Sequence, residues 1–259
     1  VKRRILTGIL SGKTVLITRA KGEGAELRRA FERLGAKVVE HPVIEIVPPE
    51  DWGPLDCALG RLRDFEWVVF TSVHAVRHFF GRLAKKRAVF KGPKVAAIGD
   101  KTAGALKACR VRIHLIPERF TSEGLFSAFR KKTRIRGASF LLPRADIATG
   151  YLPEHLKSAG GKVTEVTAYR TVLPGGKTTK EKLSKMLLRG KIDFVTLTSA
   201  STVRNFFSMV PRRCWQDRRI KFLTIGPVTS RTLRRFGRRP YAEAKIHTAK
   251  SLAEALRHE

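Results

Sequence analysis

Four short stretches of the chain put hydroxyl side chains or glycine where a β-branched run gives way to a helical one. They are Thr71-Ser72, Thr198-Ser199, Gly99-Asp100-Lys101-Thr102 and Gly226-Pro227-Val228-Thr229. A helix starting at such a place leaves its first backbone N–H groups without partners inside the helix, and its dipole turns a positive end outward. With a hydroxyl beside them, those amides are equipped to bind carboxylates or phosphates. In a parallel sheet all such junctions emerge at the carboxyl edge, where ligands bind. The candidate anion-binding residues are therefore Ser72, Thr102, Ser199 and Thr229, with Gly99 and Gly226 for close backbone approach. Arg19 and Arg144 close two strands and are candidates for pairing with carboxylates, and Arg119 is a third such arginine. The competing reading is structural, because Ser and Thr at these places are also ordinary helix N-caps.

Other chemistries find little support. Gly12-Lys13-Thr14 imitates the end of a phosphate loop, but Thr7 stands where the first glycine is needed and the tripeptide precedes its strand. Gly22-Glu23-Gly24 opens a helix, yet Leu27 replaces the third glycine of a dinucleotide fingerprint. The seven histidines read as scattered, with no pair at metal-ligand spacing and no accompanying carboxylate cluster. No G-x-S-x-G elbow is present. The expectation is a site without metal, nucleotide or catalytic triad.

The elements that must hold these residues are repeated. Val68-Val69-Phe70-Thr71-Ser72 returns as Val195-Thr196-Leu197-Thr198-Ser199, a shift of 127 that also carries Lys94, Ile98, Gly99, Thr102 and Leu106 onto Lys221, Ile225, Gly226, Thr229 and Leu233. A shift of 125 carries Leu16, Arg19 and Gly35 onto Leu141, Arg144 and Gly160. The chain is a diverged tandem duplication. Within each half, β-branched runs such as Thr14–Thr18 and Trp67–Phe70 alternate with stretches of helical periodicity such as 23–34 and 72–85. Further strands are expected at 95–98, near 113–115, at 139–142, 162–167, 194–197 and 222–225. Helices are expected over 101–109, 122–131, 151–158 and 180–188, and from Ser201, Pro227 and Ala249. Strict alternation implies α/β architecture, with parallel sheets and helices on both faces. Two extended, proline-bounded segments, about 41–49 and 167–174, interrupt it and look like paired linkers. They predict a continuous domain over 43–174 and a discontinuous one from 1–42 and 175–259, with the site in the cleft between them.

Composition sets further bounds. At 259 residues and 42% hydrophobic, the chain can form two domains with their own cores. No apolar run approaches the roughly 20 residues of a membrane span. The N-terminal Val1–Leu10 is basic, then weakly apolar, and reads as a tail rather than a signal peptide. Cys57, Cys109 and Cys214 are odd in number and lack C-x-x-C spacing, which suggests reduced thiols in the cytoplasm. The net charge of +31 calls for attention, since such an excess attracts polyanions. Its pairs and triplets, among them Lys85-Lys86-Arg87, Arg130-Lys131-Lys132, Arg218-Arg219 and Arg238-Arg239, fall at helix ends and in loops, where solvated charge is ordinary. The three tyrosines and three tryptophans are isolated and form no aromatic-basic stripe, so nucleic-acid binding is expected to be weak and non-specific at most.

Taken in order, these residues resemble the uroporphyrinogen-III synthase family over essentially the whole chain. The resemblance is carried by Leu16-Ile17-Thr18-Arg19, Phe70-Thr71-Ser72, Ala97–Thr102 and Pro117–Leu125, and then by Leu142–Asp146, Ala168-Tyr169-Arg170-Thr171, Leu197-Thr198-Ser199 and Thr224–Thr229. It implies two flavodoxin-like (doubly wound parallel sheet) domains joined by a two-stranded linker. It further implies a cofactor-free cyclase, a lyase of porphyrin, tetrapyrrole and heme biosynthesis, working as a monomer. Its substrate would be linear hydroxymethylbilane, which carries eight carboxylates. Loss of the terminal hydroxyl gives an azafulvene, attack at the substituted carbon of ring D gives a spiro intermediate, and rearrangement delivers the inverted ring. Tyr169 stands where the family's tyrosine is proposed to help the hydroxyl leave. The alternative for Tyr169 is an aromatic packed in the linker. The alternative for the whole chain is a non-catalytic binding protein for a polyanion, or a basic protein that coats nucleic acid. The charge of +31 departs from what the resemblance implies.

Overall fold

The structure is a computed structural model and describes residues 8–216 and 219–257. The greater part of the Val1–Leu10 tail and Arg218 lie outside the described residues. The first elements are β1 (Thr14–Ile17), α1 (Ala25–Glu32), β2 (Lys37–Glu40), β3 (Glu45–Val47), α2 (Gly53–Gly60) and β4 (Trp67–Phe70). Next come α3 (Val73–Lys85), β5 (Lys94–Ala97), α4 (Asp100–Ala108), α5 (Ser122–Lys132), β6 (Ser139–Ala145), α6 (Tyr151–Ser158) and β7 (Lys162–Val172). The last are α7 (Lys177–Leu188), β8 (Phe194–Leu197), α8 (Ala200–Met209), β9 (Lys221–Thr224), α9 (Pro227–Arg235), β10 (Ala242–Glu243) and α10 (Ala249–Glu254). The chain divides into two compact units, Val1–Glu45 with Val172–Glu259, and Ile46–Thr171.

The discontinuous unit has the strand order β10-β9-β8-β1-β2. All its neighbours are parallel, and in order of appearance it reads 5-4-3-1-2, the flavodoxin-like doubly wound arrangement. Its switch point lies between β1 and β8. The strands are short and apolar on both faces because helices cover both. Val15, Leu16, Val195 and Leu197 are fully buried. At the switch point the two strands brace each other. Thr18 Oγ1 donates to the Thr196 carbonyl at 2.5 Å, and Thr196 Oγ1 donates to the Leu16 carbonyl at 3.1 Å.

The continuous unit has the order β3-β7-β6-β4-β5, so β7-β6-β4-β5 repeats β2-β1-β8-β9. The strand expected near Ile113–Leu115 is reduced to one bridge, Leu115 to Ala96, because Pro117 soon removes a donor. Helix α2 was not signalled, since its sequence is bounded by glycines and contains Pro54. Proline is harmless in a first turn, and the helix forms by burying Leu55, Ala58 and Leu59. Strand β7 runs to Val172 rather than stopping near Thr167, so most of the expected second linker is strand. Its register against β6 shifts between Arg144 and Ala145, which face Thr167 and Tyr169 and leave Ala168 as the extra residue. A bulge of this kind re-aims the side chains beyond it. Ala168 and Tyr169 are consecutive and both buried, which a regular strand with one covered face would not give.

Candidate active site

In the continuous unit the switch point lies between β6 and β4, and three predicted residues meet at its carboxyl edge. Tyr169 is 7% exposed, and its hydroxyl donates to Ser72 Oγ at 3.1 Å. The same oxygen accepts from Ala75 N–H at 3.0 Å, so Ser72 is the N-cap of α3. A hydroxyl oxygen has two lone pairs, and both are engaged here. The proton of Ser72 is therefore left to donate outward, to whatever occupies the junction. Arg144 holds a bridge with Glu165 at 2.7 Å and also donates to the Thr149 carbonyl, with its side chain only 12% exposed. It lines a pocket of about 190 Å³ with Thr71, Ile98, Ser122 and Thr149.

Two histidines flank the tyrosine and correct the reading of that residue type as scattered. His74 and His78 are one helical turn apart on α3, an i,i+4 pair whose spacing was visible in the sequence. The His78 ring stacks on the Tyr169 ring at 5.8 Å between centroids, and the His74 ring lies tilted at 5.4 Å. Burial, with a smaller contribution from His74, holds the His78 imidazole below its ordinary pKa. Among the described residues no three metal-ligating side chains come together.

The glycine junctions differ from the serine ones. Gly99 and Gly226 are the N-caps of α4 and α9, both in extended conformation. What demands glycine is close approach. A Cβ on Gly99 would lie 2.8 Å from Phe120 Cγ, and one on Gly226 would lie 2.3 Å from His247 Nε2. Phe120 and His247 are themselves related by the shift of 127. Thr102 and Thr229 are buried at 4% and 3%, inside the first turn rather than at the cap. The donors at these two helix mouths are then chiefly backbone N–H groups. Pro227 supplies none at α9, and Asp100 puts a carboxylate at the mouth of α4.

In the discontinuous unit Ser199 caps α8 through a capping box with Thr202, accepting from its N–H at 3.1 Å. Its oxygen also lies 2.9 Å from Ser201 Oγ. Arg19 follows β1 at the switch point, paired with Glu23 at 3.4 Å and one-third exposed. Arg119 is exposed in the turn before α5. Each sheet thus gathers a capped serine and an arginine at its own switch point. Glu165, Thr149 and Ser122 complete the environment of Arg144, and no local signal marked them.

Comparison with known proteins bears on what this arrangement serves. The model of the uroporphyrinogen-III synthase HemD family matches residues 25–254. A uroporphyrinogen-III synthase of Synechococcus elongatus is 32% identical over 257 residues, covering 95% of each chain. That of Chlorobaculum parvum is 30% identical over 253 residues, 95% of this chain and all of the relative. Among solved structures, a mutant uroporphyrinogen III synthase from Thermus thermophilus superposes with a TM-score of 0.65 at 21% identity, covering 95% of this chain and 100% of that one. The Helicobacter pylori enzyme does so with 0.61 at 17%, with the same coverage. At those identities the likeness supports the two-domain α/β fold.

Proposed function

The chain belongs to the uroporphyrinogen-III synthase family, and we propose that it closes linear hydroxymethylbilane into uroporphyrinogen III, inverting ring D and releasing water. The observation that supports this chemistry best is the pair of hydroxyls at the head of α3, Tyr169 donating to Ser72 at 3.1 Å. Departure of the terminal hydroxyl needs a proton, because hydroxide is a poor leaving group. Ser72 donates that proton and takes another from Tyr169. The carbon–oxygen bond breaks with its electron pair going to oxygen, and water leaves. The azafulvene that remains is attacked by the substituted carbon of ring D, and rearrangement of the spiro intermediate gives the inverted ring. A proton lost from the new ring junction restores the phenol, so the net change is one molecule of water.

The protein's second task is positioning, since closure without inversion gives the wrong isomer. The substrate's carboxylates are anions on a flexible chain. Arg144, Arg19 and the amides at the heads of α3, α8 and α9 suit them in charge. No step in this sequence calls for a metal or a redox group. The enzyme acts as a cytoplasmic monomer. Among the described residues no helix is long and apolar enough to cross a membrane.

A coupled assay supplying hydroxymethylbilane tests the reading. Uroporphyrinogen III is the expected product. Uroporphyrinogen I alone, formed at the spontaneous rate, would leave the chain as a binding protein for the tetrapyrrole.

A further inference from the structure

The amino edge of the discontinuous unit's sheet carries a groove that the cyclase chemistry does not use. It lies where β9 begins and α9 ends, at the opposite edge from Ser199 and Gly226, and is an open depression of about 840 Å³. Aromatic rings form part of its lining. Trp215 packs edge-on against Phe207 at 4.7 Å, and Phe236 stacks one face on Phe207 at 4.6 Å. Lys221 Nζ sits 3.9 Å from the centre of the Tyr241 ring. Trp215 and Tyr241, two of the six rings that read as isolated in the sequence, therefore line one groove. Around them stand Arg212, Arg235 and Arg239, exposed and without an ion-pair partner among the described residues. Arg238 is committed to the fold, donating to the Trp215 and Ile220 carbonyls at 2.8 Å each. No carboxylate is among the lining residues described.

The duplication supplies an internal comparison. Lys94 with Trp67 and His114 repeats Lys221 with Phe194 and Tyr241, and Lys85 and Arg112 stand where Arg212 and Arg239 do, so that nest and those two cations are common to both halves. The rest of the groove is not. At the positions 127 earlier stand Ala88 for Trp215, Ala108 for Arg235, Cys109 for Phe236 and Val111 for Arg238. What the second half alone adds to the shared cations is the pair of rings Trp215 and Phe236, with Arg235 beside them. A surplus of surface charge would not require rings, whereas a strand of unpaired bases uses both, stacking on aromatic faces while its phosphates meet cations. We propose that this groove binds single-stranded nucleic acid, with bases against Trp215 and Tyr241 and phosphates against Arg212, Arg235 and Arg239.

The test is titration of the full chain with a fluorescein-labelled oligothymidylate, followed by anisotropy and by tryptophan emission. Binding should be salt-dependent and should quench Trp215. Arg235→Glu with Arg239→Glu should weaken it at least about tenfold. Trp215→Leu should weaken it by roughly fivefold or more, the effect of losing a stacked base. Thermal melts establish that each variant is folded, and the exposed arginine pair keeps the test decisive if Trp215→Leu is not. The control, Lys85→Glu with Arg112→Glu, makes the same change in net charge at the corresponding edge of the other unit and should leave affinity within about twofold. Equal losses from both pairs would assign binding to diffuse charge and overturn the proposal. So would unchanged affinity in folded Trp215→Leu, equally strong competition by ATP, or no binding at physiological salt. Uroporphyrinogen III formation by the same variants reports separately on the cyclase, which this groove does not serve.

Discussion

The hydroxyl of Tyr169 donates to Ser72 Oγ at 3.1 Å, and that oxygen also caps α3 by accepting from Ala75 N–H. One atom thus serves helix stability and the proposed proton path together, and two substitutions separate the roles. Tyr169→Phe keeps the cap and should lower turnover by about 10²-fold or less, the lower end for general acid assistance. Its melting temperature should move little. Ser72→Ala should lose turnover and also about 1 kcal/mol of stability with the cap. Steady-state assays beside urea melts read both. Full turnover in Tyr169→Phe would make the tyrosine a packing residue.

Gly99 and Gly226 occupy related junctions but should tolerate alanine differently. The Cβ on Gly226 meets the far end of the exposed His247 side chain, which can rotate away. On Gly99 it meets Phe120 at both Cγ and Cβ, 2.8 and 3.0 Å away, where ring rotation gives no relief. Gly99→Ala should cost about 1–3 kcal/mol as overpacking, and Gly226→Ala about 0.5 kcal/mol or less. Equal costs in urea melts would contradict this account of the two glycines.

Acid should destabilise both units below neutrality. His41 is 7% exposed, and burial, followed by Lys182, holds its pKa below 6.5 against a hydrogen bond with the Thr179 backbone. His78 is lowered likewise by burial and by His74. A folded-state pKa below the unfolded value means that the unfolded chain takes up the proton first. Stability is therefore full above about pH 6.5 and falls as pH drops through that value. His41→Phe and His78→Phe should each flatten the decline between pH 7 and 5 in thermal melts. An unaltered slope in both would remove these histidines from the account.

The carboxylate of Asp56 predicts a second, more acidic transition. Arg82, hydrogen-bonded to it at 2.6 and 2.7 Å, and secondarily Lys86, lower its pKa to about 2. The pair ties α2 to α3, the helix that Ser72 caps. A depressed carboxylate pKa gives stability that is present above the unfolded value near 3.9 and lost as pH falls through about 2. Asp56→Asn should be less stable than the parent at pH 6 and show a shallower loss between pH 4 and 2. Parallel curves for the two proteins would count against it.

Chelation should leave activity intact. Exhaustive dialysis against EDTA is expected to change the rate of uroporphyrinogen III formation by less than about twofold, because every proposed step is carried by hydroxyl, arginine and backbone groups. A loss that only a divalent cation restores would refute that chemistry.

Much of the fold was legible in the sequence because the relevant forces are local or periodic. The helix expected near 151–158 is α6, Tyr151–Ser158, and the repeated β-branched and aromatic runs are β4 and β8. Helix α2 was not signalled because Gly53, Pro54 and Gly60 carry no helical pattern of their own, and the helix forms by burying Leu55, Ala58 and Leu59. The strand expected near residue 114 shrank to one bridge, and Pro117, which has no N–H to pair, was the local signal for it.

The same division runs through the site. Residue types and their order suffice to show a duplicated α/β protein with serine, threonine and glycine at its strand-to-helix junctions. Tyr169 was singled out by the family resemblance instead. The folded chain was needed to show that Tyr169 reaches Ser72, through a bulge at Ala168 in β7, and that His74 and His78 frame its ring. It alone decided that Thr102 and Thr229 are buried while Ser72 and Ser199 cap. It also brought Trp215, Phe236 and Tyr241 into one basic groove. The physical reason is that a hydrogen bond or a stacked ring depends on a few ångströms of relative placement. Strand register and helix packing set that placement among residues as far apart as 97 positions along the chain.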